Sequence, residues 1–146
     1  MKKLSILVIT VLSLVLFSCK ENVQKDKQVI NEKLTNKIEV IDFYSTHRCM
    51  TCEAIEANTK YTLELYYPEE LKNKKITFQA INIDEEVNFK IAEKFESTGT
   101  ALFLNVVIDG KETPIDLTEF AFMDGNNQVD FSNKLKAKID VELAKL

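Results

Sequence analysis

Two cysteines separated by two residues, Cys49-Met50-Thr51-Cys52, stand where a strand pattern gives way to a helix pattern, and this junction constrains the fold more than any other feature of the 146-residue chain. Before it, Lys37 to Tyr44 reads KIEVIDFY, rich in β-branched and aromatic residues, which predicts a buried strand. The polar run Ser45-Thr46-His47-Arg48 then breaks that strand. From Cys49 onward, Ile55, Thr59, Thr62 or Leu63, and Tyr66 recur at helical spacing until Pro68 ends the segment. A chain with this order must place both sulfurs at the start of a helix that follows a buried strand.

The remaining pattern completes one domain. Ile76 to Ile83 alternates as a second strand closed by Asp84, and Val87, Ile91 and Phe95 line an apolar stripe for a short helix over Glu86 to Phe95. Ala101 to Ile108 predicts a third strand, Asp109-Gly110 a hairpin turn, and Glu112 to Leu117 the returning fourth strand. Phe131, Leu135, Ile139 and Leu143 mark an amphipathic C-terminal helix with lysines on its outer side. Tyr44, Tyr61, Tyr66, Tyr67 and the phenylalanines are expected in the core.

The N-terminus reads as an address. Lys2 and Lys3 precede an apolar run from Leu4 to Phe17, which suits a signal-peptide core and is short for a bilayer span of about 20 residues. It ends in Leu16-Phe17-Ser18-Cys19, which resembles a bacterial lipobox, and that resemblance implies cleavage before Cys19 and lipidation of its sulfur. The expected organisation is therefore a lipoprotein signal peptide over residues 1–18, a flexible polar tether over 19–36, and a folded domain over 37–146. Such a protein sits in the cell envelope of a bacterium, anchored to a membrane through lipidated Cys19, with its domain outside the cytoplasm. An uncleaved anchor or a plain secretory signal is the alternative, and both also place the domain outside the cytoplasm.

Three cysteines, 3 glycines, 2 prolines and 29% charged residues describe a folded globular chain. With Cys19 assigned to lipid, the count closes on one pair. Oxidising compartments let disulfides persist, so a lone CxxC there can cycle between dithiol and disulfide. A purely structural disulfide is the bland alternative, but so short a loop removes little chain entropy. The net charge of −4 and the lack of a basic block argue against nucleic acid as a partner. No nucleotide, flavin or haem motif is present; Glu53 follows Cys52 where c-type haem attachment needs a histidine, and no cofactor is expected.

The order β-α-β-α-β-β-α, with CxxC opening the first helix, resembles the thioredoxin-like superfamily. The segment FYSTHRCMTCEAIE is similar to its active-site stretch, and the Asp109-Gly110 hairpin is similar to its closing hairpin. The resemblance spans Lys37 to Leu146 and implies an α/β fold with a central mixed four-stranded sheet flanked by helices. It implies that Cys49 attacks a substrate disulfide and that Cys52 resolves the mixed disulfide. A helix N-terminus favours thiolate over thiol at Cys49, and Arg48 and His47 add positive charge nearby. The family's buried acid beneath the pair, which takes the proton of the resolving cysteine, corresponds to Asp42; the alternative is a strand-end acid that reaches solvent. Arg48 stands where thioredoxins carry a tryptophan, adding a charge and implying a different partner preference. The family's cis-proline is missing: Thr100 or Ala101 takes that place in the substrate groove.

These residues imply a thiol-disulfide oxidoreductase that reduces or exchanges disulfides in exported client proteins and is recycled by a redox partner. Two other classes stay open. Cys49 and Cys52, with Met50 or His47, could bind or deliver Cu(I), which soft thiolates suit, whereas zinc would lack a full ligand set. A thioredoxin-fold binding module with a vestigial pair is the other.

Overall fold

The computed structural model describes residues 35–146. The elements are β1 (Lys37–Tyr44), α1 (Met50–Tyr66), α2 (Pro68–Lys72), β2 (Ile76–Asn82), α3 (Phe89–Lys94) entered through a 3-10 turn at Glu86–Asn88, β3 (Ala101–Ile108), β4 (Lys111–Asp116), α4 (Thr118–Asp124) and α5 (Gln128–Leu143). The expected signal peptide, Cys19 and all but the end of the expected tether lie outside the described residues. Among the described residues no helix is long and apolar enough to cross a membrane.

The four strands lie in the order β2-β1-β3-β4. β1 and β2 run parallel, so the chain must cross back between them, and α1 with α2 makes that crossing. β3 runs antiparallel to β1, and β4 to β3. Tyr44 pairs with Asn82 and Phe43 with Ala101, so the ends of β1 and β2 and the start of β3 share one end of the sheet. The loop that carries Ser45 to Cys49 leaves from that end.

Period-2 alternation along the strands divides the core between two faces. One face sets Ile38, Val40, Leu102 and Leu104 against Ile55 and Leu63 of α1 and Phe131, Leu135 and Ile139 of α5. The other packs Ile41, Phe43, Ala101 and Phe103 against Ile81 and Phe95, with Ile91 of α3 at the margin. Phe43, Phe95 and Phe103 form a triangle with ring centroids 5.5, 5.9 and 5.3 Å apart, in the tilted and edge-on arrangements that aromatic quadrupoles favour.

β4 is an edge strand, and Pro114 is tolerated there because its missing N–H faces no partner strand. The Asp109-Gly110 hairpin turns with positive φ at both residues, 50° and 77°, as a two-residue turn between right-twisted strands requires.

The structure departs from the sequence expectations in several places. Val87, expected on the apolar stripe of the third helix, lies in the 3-10 turn at 83% exposure, and Phe89 and Phe122, expected in the core, are 53% and 42% exposed. Pro68 does close α1 but immediately opens α2, because a proline at the first helical position needs no N–H. α4, unanticipated, buries Ala121 and stacks Phe120 on Phe131 with centroids 5.0 Å apart. Its 7 residues make too few turns to show a helical period in sequence. Finally, the buried stripe of α1 runs through Cys52, Ile55, Thr59, Thr62 and Leu63, and Tyr61 and Tyr66 fall off it at 43% and 37% exposure.

Candidate functional site

Cys49 is the N-cap of α1. Its extended backbone (φ −86°, ψ 161°) turns the side chain back over the first turn, where Sγ accepts the backbone N–H of Cys52 at 3.1 Å. One of the four unpaired amides at the helix start is thereby satisfied by sulfur. Cys49 and Cys52 are joined as a disulfide with Cα atoms 5.1 Å apart. The two sulfurs are not equivalent in access: Cys49 is exposed, whereas Cys52 is 7% exposed and faces the core. Met50, between them, projects into solvent.

The loop before the pair is pinned to the end of β2. Asp84 Oδ2 accepts the Thr46 amide at 2.7 Å, and Asn82 donates to the Thr46 hydroxyl at 3.2 Å. The backbone hydrogen bond from Thr46, reinforced by its hydroxyl, holds the Asp84 carboxyl below the usual carboxylate range. His47 follows at the exposed crest of this loop.

Beneath the pair lies a charged cluster. Asp42 is fully buried and occupies the α1 side of β1, in register with Leu102. It does not reach solvent. Burial pushes its carboxyl up to about 7, against the pull of Arg48. Arg48 Nη2 donates to Asp42 Oδ2 at 3.2 Å and to the Cys52 carbonyl oxygen at 2.9 Å, while Nη1 donates to Glu56. The guanidinium also lies 4.4 Å from the centre of the Tyr44 ring. Burial works to raise the Glu56 carboxyl, but hydrogen bonds from Lys60 and Arg48 outweigh it and hold Glu56 below the ordinary range.

Arg48 was expected to display its charge beside Cys49 and to partners. It points inward instead, its side chain only 16% exposed, because two carboxylates and a helical carbonyl offer its forked donors more than solvent does.

Ala101 pairs with Phe43 at the start of β3, and Thr100 precedes it. Both line an open recess of about 600 Å³ with Ser97, Thr98, Phe103 and Pro114, and neither cysteine reaches it. No cis peptide bond occurs among the described residues. On the other side of the pair, the turn after α4 closes over the motif. Asn126 donates its side-chain amide to Thr51 Oγ1 at 3.0 Å, and Asn58 donates to the Gly125 carbonyl at 2.8 Å.

Sequence reasoning missed Glu56, Asp84 and Asn126. Glu56 had a signal, since it lies one helical turn after Cys52 on the same side of α1. Asp84 was visible only as a strand terminator, and nothing near Asn126 in sequence points to the cysteines.

Among the described residues no group of three or more His, Cys, Asp or Glu side chains is arranged to hold a metal ion.

A β-α-β unit followed by an antiparallel hairpin, ordered β2-β1-β3-β4, with CxxC opening the helix that follows the central β1, decides the architecture. The fold is thioredoxin-like. Solved structures of this kind overlap the chain. Thioredoxin of Fasciola hepatica shares 18% identity over 75% of this chain and 85% of its own, with a TM-score of 0.47. Oxidised mitochondrial thioredoxin 3 of Saccharomyces cerevisiae shares 24% identity over 63% of this chain and 78% of its own, with a TM-score of 0.41. The first two thioredoxin domains of Saccharomyces cerevisiae Eps1p share 30% identity over 66% of this chain and 39% of their own length, with a TM-score of 0.37. Neither a protein-family model nor a curated protein sequence matches the chain.

Proposed function

We propose that this protein is an extracytoplasmic thiol-disulfide oxidoreductase that uses Cys49 and Cys52 to reduce or exchange disulfides in exported proteins. The observation that carries the reading is the sulfur of Cys49 seated as the N-cap of α1, exposed, with the buried Cys52 one turn behind it. A thiolate at that position gains from the helix dipole and from the Cys52 amide, which makes it both a ready nucleophile and a good leaving group.

Reduced Cys49 attacks a client disulfide and forms a mixed disulfide while one client sulfur leaves as thiolate. Cys52 then loses its proton, with Asp42 as acceptor, and attacks Cys49; the Cys49–Cys52 bond forms and the second client sulfur departs. The client gains two electrons and the pair loses them, so a separate redox partner must restore the dithiol. Thr100 and Ala101, at the same end of the sheet, belong on the client's path.

The setting follows from the N-terminal sequence: a signal core from Leu4 to Phe17 and a lipobox-like Leu16-Phe17-Ser18-Cys19 support export and anchorage through Cys19 in a bacterial envelope.

The test is insulin reduction, together with the equilibrium of the pair in dithiol/disulfide buffers. The wild type should outpace Cys49→Ser and show a reversible couple between roughly −270 and −120 mV. A potential below about −300 mV with an inert thiol would make the bond structural. Labelled palmitate should enter the wild type and not Cys19→Ala.

A further inference from the structure

We infer that Arg48 is a positioning residue for the second half of the redox cycle: by bridging Asp42 to the Cys52 carbonyl and to Glu56, it sets when the buried carboxylate can accept the Cys52 proton. The inference rests on the oxidoreductase reading and adds to it a role for Arg48.

The geometry that supports it is a fork with three acceptors. Nη2 reaches Asp42 Oδ2 at 3.2 Å and the Cys52 carbonyl at 2.9 Å, and Nη1 reaches Glu56. Tyr44 covers the guanidinium plane. Asp42 therefore shares one cation with a competing carboxylate. Its other oxygen, Oδ1, is buried with no hydrogen-bond partner among the described residues, and so is free to take a proton.

The charges that face Asp42 come from two elements. Arg48 lies in the loop after β1, and Glu56 and Lys60 lie on α1, with Lys60 paired to Glu56. Across the sheet, the residues in register with Asp42 are Ala80 and Leu102, which carry no charge. Tyr44 faces Arg48 from the same strand.

The step is resolution. Starting from the mixed disulfide, the Cys52 S–H proton passes to the Asp42 carboxylate, the Cys52 thiolate attacks Cys49 Sγ, the Cys49–Cys52 bond forms, and the client sulfur leaves as thiolate. An ionised Asp42 is needed at the start, and a nearby cation favours that form while a nearby anion opposes it. Arg48 and Glu56 thus act on Asp42 with opposite signs.

The experiment follows both half-reactions of the reduced full-length protein carrying Cys19→Ala, whose thiols are Cys49 and Cys52 alone, with dithiobis-nitrobenzoate, which releases one coloured thiolate when Cys49 attacks and a second when Cys52 resolves. Both rates are measured across pH. With Arg48→Met the pH midpoint of the second release should move up by about one unit or more, and with Glu56→Gln it should move down, while the midpoint of the first release stays in place. Opposite displacements are not what loosened packing would produce. Midpoints that stay put in both variants, that move in the same direction, or that move equally for both releases would overturn the role of Arg48. Should Arg48→Met fail to fold, Glu56→Gln alone decides by the sign of its displacement. A wild type that releases no second thiolate would instead remove the oxidoreductase reading, and the role of Arg48 with it.

Discussion

Asn126, in the turn between α4 and α5, hydrogen-bonds Thr51 inside the CxxC motif at 3.0 Å, across 75 residues of sequence. The contact ties the exposed dipeptide to a turn that packs with no room to spare. A Cβ on Gly125 would stand 2.6 Å from the Ala121 carbonyl oxygen, 3.0 Å from an Ile55 side-chain carbon and 3.1 Å from the Thr51 methyl. Gly125 is thus required by close approach, since its φ of −54° is open to any residue. Gly125→Ala should destabilise the oxidised protein by about 1–3 kcal/mol in denaturant unfolding. An unchanged midpoint would show that the turn yields freely.

Asp42 gives a pH signature of opposite sign to the usual carboxylate. Its folded-state value, about 7, lies above the ordinary 3.8, so the folded protein binds the proton more tightly than the unfolded chain. The associated stability is complete below about pH 4 and is lost as pH rises through 7. Asp42→Asn should therefore match the wild type near pH 4 and exceed it at pH 8, by roughly 1–3 kcal/mol, in unfolding of the oxidised form. A variant less stable than wild type at pH 8 would mean that the Arg48 ion pair outweighs the burial cost.

Asp84 works the other way. Its carboxyl is held below the ordinary value by Thr46, so its contribution is present above about pH 4 and fades as pH falls through the folded-state value. Asp84→Ala should speed hydrogen exchange at the Thr46 amide near neutral pH, and the difference from wild type should shrink in acid. Equal exchange at pH 7 would show that Asn82 alone holds the loop.

The phenylalanine triangle lies on the sheet face opposite α1. Phe95→Ala should cost about 3–5 kcal/mol of stability, as truncation of a buried aromatic does. It should leave the reduction potential of Cys49/Cys52 unchanged, because no residue of the charged cluster touches that face. A displaced potential would reveal coupling through β1.

Much of the arrangement was legible in the chain because it is local. The strand KIEVIDFY, the CxxC at a helix start, the Asp109-Gly110 turn and the Phe131, Leu135, Ile139 stripe all rest on period and turn chemistry within a few residues. What stayed hidden is non-local or too short for a period: α4, the Asn126 contact, and the grip of Asp84 on Thr46.

By itself the sequence determined that a strand leads into a paired-cysteine helix cap, since alternation, helical spacing and Pro68 allow little else over that stretch. Only the tertiary structure decided where Arg48 sends its charge. In sequence it adjoins Cys49 and reads as a solvent-facing cation; in the fold, α1 packed back along β1 brings Asp42 and Glu56 within its reach. A forked cation goes where buried oxygens would otherwise lack a partner, and which oxygens those are is a property of packing.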